Sequence, residues 1–151
     1  MGMPRNPAKL TPCREEAVFV DLVRTADLLS RAPGQVIKEH NLSANQYNVL
    51  RILRGAPEGL LCGEISARMI SRDPDITRLL DRLEGRALIG RCREDPDRRR
   101  VHVRITAQGL ALLASLDPPV CALHRGQLGH LQAKELRELT RLLLVCRRAM
   151  A

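Results

Sequence analysis

Between Ser71 and Thr106 the hydrophobic period changes once, from that of a helix to that of a strand, and this switch constrains the fold more than any other feature. Ile76, Leu79, Leu80 and Leu83 recur at helical spacing and form one apolar stripe, while Thr77, Arg78, Asp81 and Arg82 occupy the opposite face. Asp73 is placed to cap this helix, Pro74 suits its first position, and Asp75 falls where the positive end of the helix dipole favours an acid. After Leu88, Ile89, Arg91 and Arg93 alternate with Gly90, Cys92 and Glu94. Val101, Val103 and Ile105 then alternate with His102 and Arg104. The connection between these strands, from Asp95 to Arg100, is polar and ends in consecutive arginines.

A helix feeding directly into an arginine-tipped hairpin is the outline of a winged helix-turn-helix. Upstream, Gly63 to Met69 reads as a compact helix with Ile65 and Met69 on its inner face, and Met69-Ile70-Ser71-Arg72 reads as the turn. In this arrangement the second helix enters the major groove of double-stranded DNA, and the wing arginines reach a phosphate or the minor groove. The residues able to reach base edges are Arg72, Asp73, Pro74, Asp75, Thr77 and Arg78, with Arg82 one turn further on. The carboxylates of Asp73 and Asp75 would repel phosphates. Capping accounts for Asp73, whereas Asp75 is left with two roles, a cap or an acceptor for cytosine N4. In the wing, Asp97 is placed to fix an arginine through a bidentate pair, leaving Arg98, Arg99 and Arg100 for the DNA.

Charge agrees with this placement. The formal net charge is +8, and eight arginines stand against four acids between Arg82 and Arg104, whereas residues 1–50 are nearly balanced. A concentration of this kind favours a polyanion through counterion release. With no Trp, one Tyr and one Phe, the core must be made of Leu, Ile, Val and Ala, which suits helix packing. The 151 residues are one domain's worth. The cysteines, Cys13, Cys62, Cys92, Cys121 and Cys146, are odd in number and form no CxxC pair. The start lacks an apolar signal segment and no run is long enough to span a bilayer, so a reduced cytoplasmic setting without a membrane partner is expected.

The rest of the chain reads as helices. Residues 1–13 form a loose arm. From Arg14, Phe19, Leu22, Ala26 and Leu29 have the spacing of one buried stripe, which Pro33-Gly34 should break. Ser43 and Gln46 stand at capping-box spacing with Leu42 and Tyr47 as a hydrophobic staple, and Pro57-Glu58-Gly59 ends that helix. Leu60-Leu61 is a short strand beside the wing. Thr106 caps a further helix with Leu110, Leu113 and Leu116 inside, and Asp117-Pro118-Pro119 should kink or split it. The last helix carries Leu136, Leu139, Leu142, Leu143 and Cys146, an apolar face wider than one neighbour in a chain this small requires.

Four segments resemble the MarR family of bacterial transcriptional regulators: Asn45 to Arg51, Ile76 to Glu84, Asp97 to Arg99 and Val103 to Gly109. The resemblance extends over roughly residues 15–148, and its sharpest part is the 76–84 helix followed at the correct interval by Asp-Arg-Arg. It implies a mostly α fold with a small β-hairpin wing, a single domain over 14–151. Residues 14–42 and 107–151 would supply dimerisation helices, and 43–106 the winged DNA-binding lobe. It also implies a homodimeric repressor on a pseudo-palindromic operator, released by a small-molecule effector. Phe19, Arg24, Tyr47 and His124 are the candidate effector contacts, and Arg78 matches an arginine that is nearly standard in the family.

Other classes find less support. There is no Gly-rich phosphate loop, nucleophile elbow or zinc-protease spacing, so neither an enzyme nor a cofactor is expected. Cys121 and His124 lie one helical turn apart, but one pair does not make a metal site. No cysteine has an evident thiolate-stabilising surrounding. The alternative from another class is a winged-helix module that binds protein, for which Asp73 and Asp75 are the best support.

Overall fold

In the computed structural model, which describes residues 13–31, 33–71, 73–93 and 101–150, the chain begins with α1 (Arg14–Arg31), α2 (Pro33–Glu39) and α3 (Ala44–Arg54). Then come β1 (Leu60–Leu61), α4 (Cys62–Arg68), α5 (Ile76–Gly85), β2 (Ile89–Arg93), β3 (Val101–Ile105), α6 (Ala107–Leu128) and α7 (Ala133–Met150).

The core is built around α3. Ser43 Oγ accepts the Gln46 N–H at 3.2 Å and Gln46 Oε1 accepts the Ser43 N–H at 2.9 Å, closing the expected capping box. Leu42 and Tyr47, the staple pair, are both buried with Val49, Leu50 and Leu53. Asn41 enters α3 at φ 55°, a left-handed conformation that asparagine tolerates better than most residues. Onto α3 pack Ile37 from α2, Ile65 from α4, Leu79, Leu80 and Leu83 from α5, Val103 from β3, and Leu113, Leu116 and Val120 from α6.

The sheet has the order β1-β3-β2, antiparallel throughout. Leu60 pairs with Val103, and Arg91 pairs with the same residue from the other side, so buried Val103 lies at the sheet centre. Among the described residues the hairpin register runs from Ile89 opposite Ile105 to Arg93 opposite Val101. Thr106 caps α6 as expected, accepting the Gly109 N–H at 3.1 Å, while its own hydroxyl donates to the Ala87 carbonyl at 2.7 Å.

Three expectations need correction. Asp73 does not cap the second helix, and Pro74 is not its first residue. Asp73 Oδ1 accepts the Asp75 N–H two residues on, an Asx-type turn, and Asp75 becomes the cap, its Oδ1 accepting the Arg78 N–H at 3.1 Å. Pro118 and Pro119 do not split α6, which runs on to Leu128. Both rings are exposed, while Leu116 and Val120 on either side are buried, so packing carries the helix past the lost N–H donors. Leu110 is 43% exposed, because the buried face of α6 follows Gly109, Leu113, Leu116 and Val120 instead. The α1 stripe, on a helix assigned to the dimer, lies open within the single chain: Phe19 is 65% exposed and Leu22 39%. As to the break expected at Pro33-Gly34, α1 is described to Arg31 and α2 from Pro33, and residue 32 between them lies outside the described residues.

Candidate nucleic-acid interface

The helix-turn-helix is α4 and α5 with the turn between them. Burial of Leu79, Leu80 and Leu83 fixes the rotation of α5, and this presents Thr77, Arg78, Asp81 and Arg82 to solvent. Arg78 and Arg82 lie one turn apart and line a shallow surface depression with Asp73 and Asp75. Neither acid is free. Asp73 Oδ2 accepts from Asn45 Nδ2 at 2.8 Å while its Oδ1 holds the Asp75 N–H. These hydrogen bonds, the backbone one first, pull the Asp73 pKa below the ordinary aspartate value, with a smaller pull from the Arg82 charge.

The wing is tied to α5 through Arg91. From β2 its guanidinium donates to Glu84 Oε2 at 2.5 Å and to Asp81 Oδ1 at 2.6 Å. Those bonds, with Asp81 foremost, raise the Arg91 pKa above its already high value, so this cation is permanent. Arg86 donates to the carbonyls of Asn41 and His40 and joins the end of α5 to the entry of α3. Arg104 Nε donates to the Glu58 carbonyl at 2.8 Å. Three arginines of the basic stretch are thus structural ties. Arg72, Asp97, Arg98, Arg99 and Arg100 lie outside the described residues, as do 1–12 of the arm.

A cavity of about 310 Å³ lies between α1, α2, α3 and α6. Leu29, Ile37 and Ile70 give it apolar wall, and Tyr47, Asn48, Arg51 and His124 give it polar groups. The Arg51 guanidinium stands 5.9 Å from the Tyr47 ring centroid, a cation–π distance. Of the candidate effector contacts, Tyr47 and His124 meet here, whereas Phe19 and Arg24 are not among the walls. Sequence reasoning misses Arg51 and Asn48; the spacing of Arg51 from Tyr47 on one helix face is the signal that could have found it. Among the described residues no group of three or more His, Cys, Asp or Glu is arranged to hold a metal ion. No described helix is long and apolar enough to cross a membrane.

Two short helices, a three-stranded wing and long helices at either end of the chain make this a winged helix-turn-helix protein. A family model described as transcriptional regulator SarA/Rot matches residues 32–116. A MarR transcription factor from Planctomyces limnophilus is 41% identical, with 91% of this chain and 99% of that one covered and a TM-score of 0.66. The HTH-type transcriptional regulator PecS of Dickeya dadantii is 33% identical over 98 residues, 64% of this chain and 59% of PecS, so the match spans about three fifths of that relative. BpsR of Bordetella bronchiseptica, whose DNA binding is regulated by 6-hydroxynicotinic acid, is 23% identical with a TM-score of 0.78, covering 91% and 97% of the two chains. The chain belongs to the MarR family of winged helix-turn-helix transcriptional regulators.

Proposed function

We propose that this protein is a cytoplasmic, homodimeric repressor that binds a pseudo-palindromic DNA operator and is released by a small aromatic acid. The observation that carries the DNA reading is the exposed face of α5, with Thr77, Arg78 and Arg82, tied to the wing by Arg91. Arg78 reads a guanine edge or clamps a phosphate; Arg98, Arg99 and Arg100 follow the backbone into the minor groove. In a two-fold dimer the half-sites stand about 10 bp apart. The alternative of a protein-binding module draws on Asp73 and Asp75 as an acidic docking edge. Both carboxylates are engaged within the chain, which takes away that support.

The effector class follows from the cavity. Apolar walls favour a ring, the Arg51 guanidinium favours a carboxylate, and the Tyr47 face already accommodates a flat cation. BpsR, of the same fold, responds to a ligand of this kind. Phe19 and Arg24 are then left to the dimer surface of α1.

The test is fluorescence anisotropy on a duplex selected by the protein from a random pool, against a scrambled duplex, over a series of salt concentrations. Arg98→Ala and Arg99→Ala are each expected to weaken binding to both duplexes and to reduce the salt slope by about 1 for each phosphate no longer neutralised. Arg78→Ala is expected to erode the preference for the selected duplex. Wing variants that bind as wild type would overturn the assignment.

A further inference from the structure

Two asparagines on one face of α3 hold the turn that leads into the recognition helix. Asn48 Oδ1 accepts the backbone N–H of Ile70 at 2.8 Å. Asn45 Oδ1 accepts the Ser71 hydroxyl at 3.0 Å, while Asn45 Nδ2 donates to Asp73 Oδ2 at 2.8 Å. The relay then continues through covalently close steps: Asp73 Oδ1 takes the Asp75 N–H at 3.0 Å, and Asp75 Oδ1 takes the Arg78 N–H at 3.1 Å. The last bond is the cap of α5 itself, and its donor belongs to the arginine expected on the DNA. The Ile70 side chain is 86% exposed, so between Met69, which packs against the core, and α5 the turn is held by these polar bonds. The buried leucines set the rotation of α5, and the asparagine bonds set how the turn enters its first residues.

Asn48 and Ile70 are also walls of the cavity. The two partners of one hydrogen bond thus border the same space, one supplying the acceptor and the other the donor and an uncovered apolar side chain. A guest with a polar group at Asn48, or a ring against Ile70, competes with that bond directly. The exposed side chain gains cover by turning toward the guest, and the backbone of the turn moves with it.

We propose that Asn45 and Asn48 form a clip that positions the recognition helix, and that Asn48 transmits cavity occupancy to it. This deepens the DNA-binding reading and rests on it. Asn45 and Asn48 are positioning residues: they act through the turn and not by touching DNA.

The experiment compares wild type with Asn45→Ala, Asn48→Ala and Ser43→Ala. Ser43 caps the same helix but bonds only within α3, so its variant reports a plain loss of stability. Affinity for the selected duplex is expected to fall about tenfold in both asparagine variants, the scale of one mismatched base pair, with affinity for scrambled duplex retained. Ser43→Ala keeps the wild-type ratio. Amide hydrogen exchange, read without DNA, is expected to quicken at Ile70 in Asn48→Ala and at Asp75 in Asn45→Ala. Benzoate, used as an aromatic-acid probe, is expected to weaken DNA binding of wild type and to add nothing to the loss in Asn48→Ala. An unchanged selectivity ratio in both asparagine variants, or unchanged exchange at Ile70 in Asn48→Ala, overturns the clip. Equal weakening of wild type and Asn48→Ala by benzoate, or none in either, overturns transmission through Asn48. A wild type that does not distinguish the two duplexes overturns the functional reading instead, while the exchange data still decide the clip.

Discussion

Gly109 lies where the first turn of α6 crosses the end of the α5–β2 connection. A Cβ there would stand 2.2 Å from the Leu88 carbonyl oxygen and 2.7 Å from Ile105 Cγ1. That oxygen is already fixed by the Thr106 N–H at 3.1 Å, so it cannot withdraw cheaply. Gly109→Ala is expected to cost about 2–3 kcal/mol, read as a lower urea midpoint at unchanged slope. Ala87 presents the opposite case. Its N–H donates to the Glu84 carbonyl at 2.8 Å and the Leu88 N–H to the Leu83 carbonyl at 3.1 Å, a pair of bonds that closes α5 and requires a left-handed residue between them. Ala87 adopts φ 54° to supply it. Ala87→Gly is expected to raise stability by about 0.5–1 kcal/mol, the relief of the left-handed strain less glycine's extra unfolded-state entropy. A midpoint unmoved or lowered would mean that the entropy dominates.

At the scale of elements, the decisive contact is the one between the recognition helix and the wing. Asp81 and Glu84 stand one turn apart on α5, and Arg91 on β2 bonds to both. Arg91→Ala unties the two elements and leaves two carboxylates on the side of α5 meant for a polyanion. Because both acids are more than a third exposed, the loss of stability is expected to be only about 1 kcal/mol. The loss of affinity for the selected duplex is expected to be larger, about tenfold or more, from misplacement and phosphate repulsion together. Arg91→Lys restores it in part, since an ammonium lacks the planar fork that reaches two acceptors at once. Anisotropy beside urea unfolding separates the two effects, and wild-type affinity in a destabilised Arg91→Ala protein would reduce the contact to a structural tie. The same contact changes how the charge of this region is counted. Arg86, Arg91 and Arg104 all belong to the arginine-rich stretch, yet each is spent on an acceptor within the chain.

For the whole molecule, the unanswered need is cover for the terminal helices. No residue of α1 or α7 is buried, and α7 leaves Leu136, Leu139, Leu142, Leu143, Leu144 and Val145 open along most of its length. Val18, Phe19, Leu22 and Val23 leave a comparable face on α1. Apolar surface of this extent is rare on a monomer, and a second copy of the chain would bury both faces at once. Sedimentation is expected to give twice the 16.9 kDa chain mass, with a Tm that rises with protein concentration. Leu139→Glu combined with Leu143→Glu is expected to give a monomer that binds one half-site weakly. A double variant that sediments as wild type would assign the cover to some other surface.

Local rules set much of this protein without reference to its fold. The capping box of Ser43 and Gln46, the cap at Thr106 and the change of period after Leu88 depend on residues within a few positions of one another. They are legible for that reason. So is the outward face of α5, because helical spacing alone places Thr77, Arg78 and Arg82 opposite the leucines. Tertiary structure decided the rest. Which of Asp73 and Asp75 would cap α5 depended on Asn45, which reaches Asp73 from a different helix. Whether two prolines would split α6 depended on what Leu116 and Val120 could bury against. The meeting of Tyr47, Arg51 and His124 around one cavity, and the clip from α3 to the turn, join residues far apart in the chain. Spacing fixes a face, but only the packing of whole elements fixes what that face meets.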